Sequence, residues 1–325
     1  MKIKFYGVRG SKPSPLTPAQ VSAKIQTAVG SKVNPADLPF WMRSTYGGNT
    51  SCVDVVSHQN ERFVFDMGTG ISELGNGLMP RVFGNRGIKI NFFLSHLHWD
   101  HIQGLPFFSP LYLSRFDGIE NIFNFFGGDG FKGKVEEVLR GQMDAPVFPV
   151  SFEEIKNQTY ALDTHNVYRG FERVFDEVLI KAEKLDHPQD TYGYRLEETS
   201  GRDTKVFVYS TDHEPRDPQY PHASLIKLWK NADVVVTDCQ YTKLQYEGHK
   251  DHGNVCRHGW GHSYPEYVAK AAIEAGAKHL VLFHHDPSSS DEKIWQMEIY
   301  TQQLITQLGG TTKVTAAYEG MEIEL

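Results

Sequence analysis

Cysteine is scarce. The 325-residue chain has three, Cys52, Cys239 and Cys256, at no spacing used by a zinc finger or a disulfide framework. Reduced thiols in a cytoplasmic protein are the expectation. No run of about 18 apolar residues occurs, and the start, MKIKFYGVRGSK, lacks an apolar core, so neither a spanning helix nor a signal peptide is predicted. An excess of positive charge is missing as well. With 33 basic against 40 acidic residues the net charge is −7, which argues against a long nucleic acid as partner. Internal repeats, low-complexity tracts and clear linkers are absent, and with them solenoids and disordered arrays are excluded. What remains is the composition of an ordinary globular protein, 40% hydrophobic and 22% charged, long enough to bury a sizeable core.

The first third reads as β. KIKFYGV, TSCVDVV and ERFVFDM are short and rich in β-branched or aromatic residues. Between the first two lies a stretch of about residues 12–45 with five prolines and a predicted helix at PAQVSAKIQTAV. It reads as an insertion, a lid or an arm through which two copies form a homodimer. From residue 88 onward strands alternate with loops or helices, the α/β pattern. IKINFFLS is a buried strand, and EVLIKAEKL, KVFVYS, ADVVVT and KHLVLF follow. About residues 104–175 read as a second, aromatic-rich insertion containing a helix at KVEEVLRGQM. A helix after GWGHS is predicted to be capped by Ser263, with Glu266 completing a capping box, Pro265 in its first turn and Gly276 at its end. One domain, residues 1–325, with two insertions is the expected organisation.

Histidine is the abundant exception, fifteen in all. SHLHWDH places His96 and His98 in alternation just past a strand, on one side of the chain. Asp100 and His101 follow on the turn. Two imidazoles, a carboxylate and a third imidazole can serve two adjacent divalent ions. Later strands each end in a further candidate: His187, Asp212, Asp238 and His284. Carboxyl ends of strands in an α/β sheet share one edge, so these residues are expected to converge there.

On these residues the chain resembles the metallo-β-lactamase superfamily of dinuclear hydrolases. The resemblance runs through GVRGSKPSP, YGGNTSC, FDMGTG, SHLHWDH, DHPQDTYGYRLE, YSTDHE, TDCQYT, GWGHS and LVLFHHDP. It is nearest to the branch containing tRNase Z and phosphoribosyl cyclic phosphate phosphodiesterase. That resemblance implies a four-layer αββα sandwich with metals at the edge between two sheets. It implies that His96, His98 and His187 hold one divalent ion, Asp100, His101 and His284 the other, and that Asp212 bridges them. Asp66 would orient a ligand histidine. The β-lactamases themselves carry cysteine where Asp212 stands, which argues against antibiotic hydrolysis here, and the core lacks the glutamate of the redox-active di-iron branch. Zinc is favoured as the metal, with manganese or iron compatible with the carboxylates.

Two divalent ions, less two carboxylates and a bridging hydroxide, leave about +1 at the centre, a setting for a small anionic substrate. The expected reaction is hydrolysis of a small phosphodiester, a cyclic nucleotide first, by a metal-bridging hydroxide. In the resembling branch a carboxylate and a histidine supply the leaving-group proton, which points to Asp238 and His262; otherwise His262 packs the start of its helix. A thioester or lactone hydrolase and an RNA-processing nuclease are the alternatives. His285 competes with its neighbour His284 as a ligand, and His213 and Glu214 are either supporting residues or turn residues. His249, His252, Cys256 and His258 are expected to form a solvated loop, a separate zinc being the alternative. GGDGFKGK is a weak phosphate motif, and Phe107, Phe108, Tyr112, Phe116, Phe123, Phe125 and Phe126 are expected to build a local apolar core rather than stack on a base.

Overall fold

A computed structural model describes residues 1–128, 135–248 and 255–325. Two seven-stranded sheets face each other. The first comprises β1 (Lys2–Gly7), β2 (Cys52–Val56), β3 (Arg62–Phe65), β4 (Lys89–Phe93), β5 (Ile122–Gly127), β6 (Ala161–Asn166) and β14 (Glu322–Glu324), in the order β14-β1-β2-β3-β4-β5-β6. The second comprises β7 (Glu172–Phe175), β8 (Val178–Leu185), β9 (Thr191–Ser200), β10 (Asp203–Ser210), β11 (Val234–Asp238), β12 (His279–Phe283) and β13 (Lys313–Ala316), in the order β13-β12-β11-β10-β9-β8-β7. Each sheet has three antiparallel pairings followed by three parallel ones, so the two halves share a pairing scheme that no sequence repeat betrays.

The helices are α1 (Pro18–Gly30), α2 (Phe40–Arg43), α3 (Ile71–Asn85), α4 (Trp99–Ile102), α5 (Val135–Met143), α6 (Phe152–Gln158), α7 (Ala223–Trp229), α8 (Lys243–Glu247), α9 (Pro265–Ala275) and α10 (Asp291–Gln307). Buried residues of α3, α5 and α6 pack on the outer face of the first sheet, and those of α7, α9 and α10 on the second. The layers are therefore helix, sheet, sheet, helix.

Between the sheets lies an aromatic core of Phe5, Phe63, Phe65, Phe93, Phe126, Tyr194, Phe207, Tyr209 and Phe283, all fully buried. Phe93 and Phe126 stack at 4.5 Å between ring centres. Truncating a ring such as Phe93 to alanine costs about 3–5 kcal/mol, because its neighbours cannot close the void.

Residues 104–175, expected as an insertion, supply strands to both sheets. β5 and β6 extend the first sheet and β7 starts the second. Of the aromatics expected to build a local core, Phe108, Phe123 and Phe125, with Tyr112 against them, share the apolar cluster beneath α3, α5 and α6, while Phe126 joins the core between the sheets. Phe107 and Phe116 stay exposed. The run IFNFFG is buried on both faces, so it lacks the alternation that signals a strand. Most of GGDGFKGK lies outside the described residues. In the stretch 12–45, α1 starts at a capping box made by Thr17 and Gln20 and buries none of its residues. Lys24 ties it to Asp291 at the start of α10.

The capping expected for α9 is replaced by another arrangement. Tyr264 is the N-cap, without a side-chain bond, while Ser263 Oγ donates to the His213 carbonyl at 2.6 Å and Glu266 accepts from the Tyr300 hydroxyl. Ser263 is drawn away by a buried partner that local sequence does not reveal. Gly276 ends the helix in the left-handed conformation, as expected.

Candidate metal centre

Strand ends deliver the side chains. β4 runs into Ser95, His96 and His98; α4 carries Asp100 and His101; β11 ends at Asp238; and Asp66, His187, Asp212 and His284 lie one or two residues past the ends of β3, β8, β10 and β12. Asp66, Asp212 and His284 all have positive φ, of 59°, 49° and 58°. Such non-glycine conformations turn the chain sharply and are held by the surrounding structure.

Three ligand-type atoms meet on one side: His98 Nδ1 lies 2.9 Å from His96 Nε2 and 3.2 Å from His187 Nε2. Asp100 Oδ2, His101 Nε2 and His284 Nε2 meet on the other, with His101 and His284 at 3.3 and 3.1 Å from the carboxylate. Asp212 lies between: Oδ2 is 3.7 Å from His96 Nε2, and Oδ1 is 3.5 Å from His101 Nε2 and 3.3 Å from His284 Nε2. One carboxylate thus addresses both groups with different oxygens.

Hydrogen bonds behind the rings fix their tautomers. Ser95 Oγ gives its proton to Asp66 Oδ2 at 2.8 Å, so it accepts from His96 Nδ1. His101 Nδ1 donates to Asp66, His187 Nδ1 to the Gly261 carbonyl at 3.0 Å, and His284 Nδ1 to Gln240 Oε1 at 2.8 Å. Each of these four rings therefore turns the lone pair of Nε2 inward. Among the described residues, the buried His101 Nε2 has no hydrogen-bond partner. Converging lone pairs and two buried carboxylates fit divalent cations.

The electrostatics agree. Burial opposes ionisation of Asp100 and Asp212, but the histidines beside them hold both carboxyls well below the usual range. Burial likewise opposes charge on His101, yet Asp100, Asp212 and Asp66 raise its pKa well above the ordinary value. The centre draws positive charge. His187, more distant from the carboxylates, is lowered to about 4 by burial and stays neutral, as a ligand must.

Ser11, Gln240, Gly261 and Tyr209, which sequence reasoning passed over, and Glu214, for which a supporting role was one alternative, surround this centre. The Ser11 amide donates to Asp100 Oδ2 at 2.7 Å, and Gln240 orients His284. Glu214 accepts from the amides of Gly259 and Gly261 at 2.7 and 2.8 Å, which sets the Gly261 carbonyl under His187. Gly261 has φ +86°, and a Cβ there would come within 2.1 Å of His187 Nδ1. Tyr209 donates to Asp66 at 2.7 Å. Tyr209 and Glu214 lie three and two residues from Asp212, and Gln240 and Gly261 two and one from Asp238 and His262, whereas Ser11 carries no such signal.

The other histidines sort out by partners. His285 Nε2 donates to the Ala317 carbonyl at 2.9 Å, away from the centre. His213 is buried between Thr237 and Ser263. His258 packs on Tyr246, Cys256 is exposed, and His249 and His252 lie outside the described residues. His262 Nδ1 lies 3.0 Å from Asp238 Oδ2 and 3.9 Å from Asp212 Oδ2, with its ring stacked on that of His284.

A beta-lactamase superfamily domain model matches residues 63–285, which span β3 to the end of β12 and every candidate ligand. The chain belongs to the beta-lactamase superfamily. It is similar to ribonuclease BN of Proteus mirabilis, 27% identical over 276 residues that cover 71% of this chain and 81% of that enzyme. It is also similar to ribonuclease Z of Lactiplantibacillus plantarum, 24% identical over 85% of this chain and 92% of the relative. Among solved structures, that of unliganded yeast PDE1 superposes with a TM-score of 0.64 at 13% identity, covering 100% of this chain and 99% of that one. The metallo-β-lactamase sandwich and a relationship to metal-dependent hydrolases follow. No helix among the described residues is long and apolar enough to cross a membrane.

Proposed function

We propose that the chain is a dinuclear metal-dependent phosphodiesterase acting on a small anionic substrate, with a cyclic nucleotide the first candidate. The observation that carries this reading is the His262–Asp238 pair beside a centre of inward-facing lone pairs. His96, His98 and His187 would hold one ion, Asp100, His101 and His284 the other, with Asp212 shared; zinc suits the histidines, manganese or iron the carboxylates. Such a pair supplies Lewis acidity, which activates water and offsets phosphodiester charge.

The protein's own groups do the rest. Asp238 accepts from His262 Nδ1 and leaves Nε2 to hand a proton to the departing alkoxide. Burial opposes charge on His262, but Asp238 prevails and raises its pKa to about 9, so the ring carries the proton at neutral pH. A nitrophenolate needs no such help, and a sugar alkoxide does.

A second reading, cleavage of RNA, is supported by the names of the curated relatives, which are ribonucleases. A cytoplasmic location fits three cysteines that are all free thiols. Turnover of a mixed panel, followed by mass spectrometry with and without chelator, decides among the substrates: 3′,5′- and 2′,3′-cyclic nucleotides, a linear dinucleotide, an acyl thioester and a lactone. Chelator-sensitive loss of a cyclic nucleotide is expected. Loss of the thioester or lactone alone would overturn the phosphodiesterase reading.

A further inference from the structure

Three rings pack against His262. It is stacked on His284, with 5.1 Å between ring centres and 25° between planes, and it meets His187 at 5.7 Å and 64°. Both of these are candidate ligands, one from each group, so their orientation is committed to the centre. The third is Tyr241, whose ring stands perpendicular to His262 at 5.6 Å and 86°. The hydrogen bond from His262 Nδ1 to Asp238 holds one atom of the imidazole and leaves its plane free to swing about that bond. An aromatic contact on the ring itself selects one plane.

Tyr241 is itself fixed, and buried. Its amide donates to the carbonyl of Ser263, the residue after His262, at 3.2 Å. Its hydroxyl accepts from Gln240 Nε2 at 3.1 Å, and Oε1 of the same side chain accepts from His284 Nδ1 at 2.8 Å. The Arg257 guanidinium lies over the Tyr241 ring, 4.4 Å from its centre, while Nη1 is 3.6 Å from Asp286 Oδ2. A planar cation on an aromatic face restrains the ring beneath it. Arg257 therefore backs Tyr241, Tyr241 backs His262, and Gln240 joins the Tyr241 hydroxyl to a candidate ligand.

We propose that Tyr241, backed by Arg257, is a positioning residue: it holds the His262 ring in the plane from which Nε2 reaches the leaving-group oxygen. Gln240 keeps that plane in register with His284. The inference rests on the proton-donor reading of His262. Tyr241 transfers no proton and touches no substrate; its whole effect is on where the donor stands. Displacing a reacting group by about 1 Å can cost about 10²-fold in rate.

Two readouts on the whole chain test it. The first is turnover of the ethyl and 4-nitrophenyl esters of thymidine 5′-phosphate. Tyr241→Leu is expected to lower kcat about 10- to 100-fold for the ethyl ester and about twofold or less for the nitrophenyl ester, whose leaving group needs no proton. KM is expected to stay unchanged for both. The second is proton NMR of the chelator-treated protein. The buried Nδ1 proton that His262 gives to Asp238 is expected as a sharp downfield resonance, missing from His262→Ala and broadened by exchange with water in Tyr241→Leu. Tyr241→Phe, which keeps the ring, is expected to retain the resonance and the selectivity between esters. Arg257→Ala, on a loop, carries the test if Tyr241→Leu fails to fold. It is expected to broaden the same resonance and to slow the ethyl ester about two- to fivefold. Equal losses on the two esters, a resonance as sharp in the variants as in the wild type, or no such resonance in the wild type would overturn the positioning role. If the wild type turns over neither ester, the phosphodiesterase reading fails and the resonance alone decides whether Tyr241 holds the ring.

Discussion

Replacing Asp66 with asparagine removes a charge and almost no volume, at a residue that touches only one of the candidate ligands. Asp66 Oδ2 accepts from Ser95 Oγ, His101 Nδ1 and Tyr209 OH at 2.8, 2.8 and 2.7 Å, and Oδ1 accepts from the Ser95 amide at 2.7 Å. Asparagine tolerates the φ of 59° at this position. Its oxygen is expected to take the Oδ2 place, where three donors arrive, leaving its amide group against the Ser95 N–H. One buried donor without an acceptor costs about 1–3 kcal/mol of stability. His101 would also lose its anionic partner and become a poorer electron donor. Loss of such a partner lowers metal affinity by about 10- to 100-fold, or about 1.4–2.8 kcal/mol. Competition titration of zinc against a chromophoric chelator measures the affinity, and urea unfolding of the metal-free protein measures the stability. A zinc affinity within twofold of wild type would refute the role of Asp66 in tuning His101.

Three further outcomes follow from the same geometry. Asp212→Ala removes the carboxylate that addresses both groups of ligands, and is expected to abolish turnover and weaken retention of the metal pair; full activity would remove the bridging role. His262→Ala should slow substrates with alkoxide leaving groups by about 10²–10⁴-fold and nitrophenyl esters far less, and equal losses for both would argue against proton donation. Stability of the metal-free protein is expected to fall on acidification from about pH 6.5. Burial holds His285 down to about 3 and His279 to about 4, so between these values and the ordinary 6.5 the unfolded chain binds more protons than the folded one. The loss is on the order of a few kcal/mol, and urea unfolding at pH 7 and pH 4.5 measures it; equal stabilities would contradict the burial of these rings.

Much of the site could be read from sequence because its residues are adjacent or mark strand ends. His96, His98, Asp100 and His101 fall within six residues, and His187, Asp212, Asp238 and His284 each follow a recognisable apolar strand. The supporting atoms were not legible in the same way. The Ser11 amide and the Gly261 carbonyl act through the backbone, so side-chain chemistry gives no hint of them. Gln240 acts across a long sequence separation, and Glu214, a supporting or a turn residue on sequence alone, meets its partners Gly259 and Gly261 only in the fold. In the fold, the eight strands with clear patterns were found, while β5 was hidden because both of its faces are covered, and the capping of α9 was misread because Ser263 serves His213 instead.

Counting the metal ions bound per chain tests the dinuclear centre most directly. Native mass spectrometry of chelator-stripped protein titrated with zinc is expected to show two ions per wild-type chain and one in His187→Ala, whose other group of ligands is intact. A wild-type chain that takes up one ion or none under these conditions would contradict the dinuclear centre.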